Sequence, residues 1–122
     1  MIDRQPSEMT HEAIGRRIKA LRAWVNRDSA RTSPREEPLS QAKFAGLAGL
    51  KNNTLNQWEM GHGRPNLDGA IKLALRWRVT LDWVYFGDPG GLPHHMATQL
   101  AEEVARIRAT ETTTKQEPRR RA

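Results

Sequence analysis

The chain has 122 residues, of which 28% are charged and 37% hydrophobic, with four tryptophans and no cysteine. That length is expected to hold one small domain with extensions and no separate catalytic domain; the absence of cysteine excludes a disulfide frame and thiolate chemistry, and neither an apolar leader nor the ~20-residue apolar run of a membrane span is visible. A net charge of +6 favours an anionic partner through counterion release, but residues 1–38, 39–91 and 92–122 each net +2, so charge alone locates no patch.

Residues 1–9 are polar and expected to be loose. Thr10 is placed to cap a first helix in which Ile14, Ile18, Leu21 and Val25 recur at helical steps, with Trp24 beside that stripe. The run NRDSARTSPREEP, residues 26–38, mixes charge, serine and two prolines without periodicity and predicts an inserted loop. It either touches phosphate through Arg27, Arg31 or Arg35 or is a solvated linker, the reading that charge-rich loops favour.

Ser40 is the expected N-cap of a second helix over Gln41 to Ala48. Gly46 inside it costs roughly 1 kcal/mol relative to alanine, so either close packing requires it or the helix is locally weak. Ala45 supplies a small residue where one helix presses on the next, and Gly49 tolerates the left-handed backbone of a turn. Phe44, Ala48, Leu50, Leu55 and Trp58 make a buried side, leaving Lys51, Asn52, Asn53, Asn56 and Gln57 on the outer face of a third helix over residues 51–58. An Asn or Gln amide carries a donor and an acceptor together and can pair bidentately with adenine in the major groove.

Gly61 to Pro65 breaks the chain. Asn66 caps a fourth helix with Ile71, Leu73, Ala74 and Leu75 on its apolar side, and Thr80 opens a short fifth helix. Asp88-Pro89-Gly90-Gly91 ends the domain as a turn; neither G-x-G-x-x-G nor a G-K-[ST] ending is present to make it a phosphate cradle. Over residues 92–109, Met96, Leu100, Val104 and Ile107 predict an amphipathic C-terminal helix that either folds back on its own domain or pairs with a second copy. Residues 110–122 are expected to be a disordered basic tail, with Arg119 to Arg121 offering weak, sequence-blind attraction to DNA.

The series IGRRIKALR, LSQ at Leu39 to Gln41, the segment through Gly61, and WEMGHGRPNLDGAIKLALRWRVTLDWVYFGD resembles the lambda-repressor-like, Cro-type helix-turn-helix family of bacterial and phage regulators. Glu59, Gly61, Pro65, Leu81-Asp82-Trp83-Val84 and Gly87 stand at that family's recurring positions; the 26–38 insertion departs from its usual short connection. The resemblance implies an all-α fold, a compact five-helix DNA-binding domain over residues 10–91 with the C-terminal helix added. It also implies that the third helix enters the major groove. On that reading Gln41 touches phosphate or a base edge, Asn52, Asn53 and Asn56 read bases with Lys51 and Gln57 at the flanks, and Thr54 meets phosphate or a thymine methyl. Arg64 and the first amides of the fourth helix hold backbone phosphate. Glu59 pairs with Arg22 as a structural link between the first helix and the end of the third.

The function expected is sequence-specific binding of double-stranded DNA by a homodimeric transcription regulator, by default a repressor at a palindromic operator, working in the cytoplasm beside the nucleoid. The alternatives are an antitoxin whose region from Leu92 binds a toxin partner, and an interaction module that has kept the fold without DNA binding. His94 and His95 point apart on a helix and His62 stands alone in a loop, so no metal or other cofactor is expected. No catalytic constellation is recognisable, and enzyme activity is not expected.

Overall fold

The computed structural model describes residues 6–32 and 38–116. Thr10 Oγ1 accepts the backbone N–H of Ala13 at 3.1 Å and opens α1, His11–Thr32. Its stripe of Ile14, Ile18, Leu21 and Val25 lies in the core with Phe44, Leu55, Leu73, Val84 and Leu100. The helices that follow are α2 (Gln41–Leu47), α3 (Asn52–Glu59), α4 (Leu67–Trp77), α5 (Leu81–Phe86) and α6 (His94–Gln116). Ser40, Asn66 and Thr80 cap α2, α4 and α5, each accepting a first-turn N–H through its side-chain oxygen. The described residues are all helical or irregular, with no strand.

Three expectations about the ends of the chain are corrected. Residues 26–32 are not loop but the last two turns of α1. They continue because tertiary contacts hold them: Asn26 brackets the backbone of Leu39, accepting its N–H at 2.7 Å and donating to its carbonyl at 3.3 Å, and Arg27 is ion-paired to Glu103 of α6. Of the arginines named for that loop, Arg31 is helical in backbone and Arg35 lies outside the described residues. Pro6–Met9 form a 3₁₀ turn where a loose end was expected. Arg17 holds that turn, donating to the Glu8 carbonyl, to Glu8 Oε1 at 3.1 Å and to the Val84 carbonyl at 3.1 Å. Desolvation lowers its guanidinium to about 10, partly offset by Glu8, so it is still a cation at neutral pH.

The third correction concerns residues 110–116, which extend α6 rather than beginning a tail; residues 117–122, Arg119 to Arg121 included, lie outside the described set. Arg16 Nε meets Glu111 Oε1 at 2.9 Å, beyond the expected end of the helix, and Trp24 Nε1 donates to Gln99 Oε1 at 2.7 Å. Residues rising along α1 thus meet residues falling along α6, and the two longest helices run antiparallel. Met96 and Leu100 are buried, so the first half of the apolar stripe of α6 folds back on its own domain, while Val104 and Ile107 are half-buried. Glu103 is buried beside them, ion-paired to Arg27 and, at 3.0 Å, to Arg106.

Two glycines show where backbones must approach. A Cβ on Gly15 would lie 2.5 Å from the Trp58 carbonyl oxygen, so α1 crosses the end of α3 at a distance only glycine permits. Gly49 has φ 77°, and the N–H groups of Gly49 and Leu50 return to the carbonyls of Gly46 and Ala45, a Schellman close that turns α2 into α3.

Candidate nucleic-acid interface

The α2–α3 pair is anchored from beneath. Phe44 and Ala45 of α2, Ala48 at its C-cap, and Leu55, Trp58 and Glu59 of α3 are buried, and the Phe44 ring stacks on Trp77 of α4 at 4.9 Å. Glu59 is the fixed point. Its side chain is 2% exposed and takes Arg22 Nη2 at 2.7 Å and Nε at 2.9 Å in a two-pronged ion pair from α1. Gln41 Nε2 adds a third donor at 3.1 Å, so the first residue of α2, the last of α3 and α1 converge on one carboxylate.

The outer surface of α3 divides in two. Lys51, Asn52 and Asn53 are exposed, and none of the three side chains has a partner among the described residues. Lys51 occupies the N-cap of α3 without a side-chain cap bond, so the first-turn amides of α3 are open to an anion. Further along, the side chains are tethered. Asn56 is half-buried, accepts from Gln41 Nε2 at 3.3 Å and donates to Met60 Sδ at 3.2 Å, and the exposed Gln57 pairs with His62 at 2.9 Å. Thr54 is half-buried next to them. Gln41 has its NH₂ committed to Asn56 and Glu59, leaving its side-chain oxygen without a partner among the described residues.

Arg64 stands exposed before α4, but its nitrogens are committed to the N-terminal turn, to the Met9 carbonyl and His11 Nε2 at 2.9 Å each. The first turn of α4 is closed by Asn66 on the N–H of Gly69 and carries Asp68, a carboxylate that opposes phosphate at that helix end. The structure therefore brings Lys51, Asn52 and Asn53 together as an open set and makes Gln41, Asn56, Arg22 and Glu59 one internal network. The Gln41–Asn56 link was not visible in the sequence, because its members lie on separate helices and amide pairs carry no spacing signature.

Among the described residues no group of three or more His, Cys, Asp and Glu is placed to hold a metal, and no helix is long and apolar enough to cross a membrane. No curated protein and no solved structure matches the chain. Residues 38–84, running from the residue before Leu39 through α5 as far as Val84, match the family described as helix-turn-helix. The matched residues are the two short helices joined at a left-handed glycine, the second held by a buried carboxylate and presenting amides outward, so the likeness to the lambda-repressor/Cro-like helix-turn-helix family rests on this part of the chain.

Proposed function

We propose that this chain binds a specific double-stranded DNA site and regulates transcription there, by default as a repressor acting on a palindromic operator as a two-fold dimer. The observation that carries the reading is the division of α3: its buried side is fixed by Leu55, Trp58 and the Glu59 carboxylate, while Lys51, Asn52 and Asn53 stand open. Rigid support under exposed amides is what base reading requires, since an amide must meet N6 and N7 of adenine at once.

Asn52 and Asn53 are the first readers, with Lys51 on phosphate or guanine. Asn56 contributes from a pre-set orientation given by Gln41 and Met60, Gln57 and Thr54 act at the flank, and the unpartnered side-chain oxygen of Gln41 meets the DNA edge. Arg64 fixes the N-terminal turn beside the DNA and meets phosphate only through its remaining N–H groups. One recognition helix makes too few contacts for typical specific affinity, so paired copies reading half-sites about 34 Å apart are required. An antitoxin reading needs the region from Leu92 for a partner, and the burial of Met96 and Leu100 against α1 argues against it.

Selection of bound duplexes from a random pool tests the proposal. The expected outcome is a symmetric sequence whose half-sites lie about one helical turn apart, with affinity falling steeply as salt is raised. Failure to enrich any sequence, or binding that is indifferent to salt, overturns it.

A further inference from the structure

The sequence placed Ile71 and Leu75 on the apolar side of α4, yet the structure leaves both outside the core. Leu67, Ile71 and Leu75 are 58%, 37% and 76% exposed. They follow one another at steps of four and so form a single stripe on one face of the helix. With Leu47 and Met60 they are the exposed large hydrophobics among the described residues, and three of those five lie in this one row. A charged row runs beside it at the same step: Asp68, Lys72 and Arg76, all exposed.

We propose that this face of α4 binds the same face of a second copy of the chain, with the two α4 helices antiparallel about a two-fold axis passing near Ile71. The charge order supports that occupant. An antiparallel two-fold pair keeps both charged rows on the same side of the contact and reverses one of them. Asp68 of each copy is thereby brought toward Arg76 of the other, and the helix dipoles oppose favourably. The two Lys72 side chains flank the axis, and the aliphatic stem of Lys72 leans away over the Gly49 turn, 3.9 Å from where a Cβ there would stand. Of the α6 stripe, the other candidate for pairing, Met96 and Leu100 are buried and Val104 and Ile107 half-buried, whereas Leu67 and Leu75 of α4 stand more than half exposed.

Three side chains fall short of the roughly 1,200 Å² buried in a stable free interface, so the contact is weak in solution and acts mainly between copies already held on one duplex. In that respect the inference rests on the DNA-binding reading, and the test separates the two. The chain has no cysteine, so Ile71→Cys is a unique reporter. Under a mild oxidant it is expected to give a disulfide-linked dimer, whereas Leu47→Cys, also exposed, is not. On DNA carrying one or two half-sites, Leu75→Glu is expected to keep single-site affinity and lose cooperativity between sites. Asp68→Arg and Arg76→Asp are each expected to reduce cooperativity roughly 2- to 30-fold, for two exposed ion pairs per dimer, and the double swap to restore it.

Equal crosslinking of the two cysteine variants, or cooperativity that survives Leu75→Glu, overturns the interface. Cooperativity lost in both single swaps and not recovered in the double swap overturns the antiparallel arrangement. Absence of any binding to a half-site, with Ile71→Cys still crosslinking, removes the DNA-binding reading and leaves the interface standing.

Discussion

Replacing Arg22 with methionine, with Glu59 left in place, removes two of the three donors on a carboxylate whose side chain is 2% exposed. Gln41 Nε2 at 3.1 Å would be its last partner, a neutral amide against a full negative charge. Breaking a buried ion pair from one side costs about 3–5 kcal/mol. Arg22 itself is 27% exposed, so water can enter the space it vacates, and a loss of about 2–3 kcal/mol is the fair expectation. For a small domain that moves a urea midpoint down by about 1–2 M. Arg22→Met combined with Glu59→Leu removes the stranded charge and should be more stable than Arg22→Met alone. Selectivity at the bases read by Asn52 and Asn53 should survive wherever the Arg22→Met protein is folded, because Lys51, Asn52 and Asn53 make no bond to this network. Urea denaturation of the single and double variants, with a double-mutant cycle, provides the check. A midpoint unchanged in Arg22→Met, or a coupling energy below about 0.5 kcal/mol, refutes the reasoning.

Gly46 sits in a helix, and a Cβ added there would meet nothing within 4 Å, so Gly46→Ala should stabilise the fold by about 0.5–1 kcal/mol in thermal or chemical denaturation; a loss would mean that close approach matters there after all. Gly15→Ala should do the opposite, costing about 1–3 kcal/mol, because the new methyl would meet the immovable carbonyl of Trp58 rather than a flexible side chain. Lys51→Ala should weaken DNA binding for all sequences alike and lower the slope of log affinity against log salt by about one, measured by titration over a salt series. Asn53→Ala should instead cost about 1–3 kcal/mol at one base position of the selected site, and a uniform loss across sequences would move Asn53 from base reading to phosphate contact.

Much of the helical frame could be read without coordinates. Thr10, Ser40, Asn66 and Thr80 each cap the helix they precede, and the left-handed turn falls at Gly49, because caps and turns are set by a few consecutive residues. What the sequence misjudged was the extent of α1 and α6. Residues 26–32 and 110–116 have weak local reasons to be helical and are held by Asn26 on Leu39, Arg27 on Glu103 and Arg16 on Glu111, contacts that span long distances in the chain. Gly15, which no local pattern marks, is the point where α1 clears Trp58.

The candidate site follows the same division. Periodicity and side-chain chemistry suffice to put Lys51, Asn52, Asn53, Asn56 and Gln57 on one outer face, since a helix repeats every 3.6 residues whatever surrounds it. Which of those amides is open and which is tied back depends on neighbours from other helices: Gln41 orients Asn56, His62 takes Gln57, and Met9 with His11 engages Arg64. Pattern alone left the apolar row of α6 undecided and put Ile71 and Leu75 on the apolar side of α4, where the structure leaves them exposed. Each row recurs at helical steps in the chain, and only the placement of α1 beside α6 covers Met96 and Leu100 and leaves Leu67, Ile71 and Leu75 bare. Short-range rules fix what each helix offers, but hydrogen bonding and burial are shared between elements, so the choice of partner belongs to the folded whole.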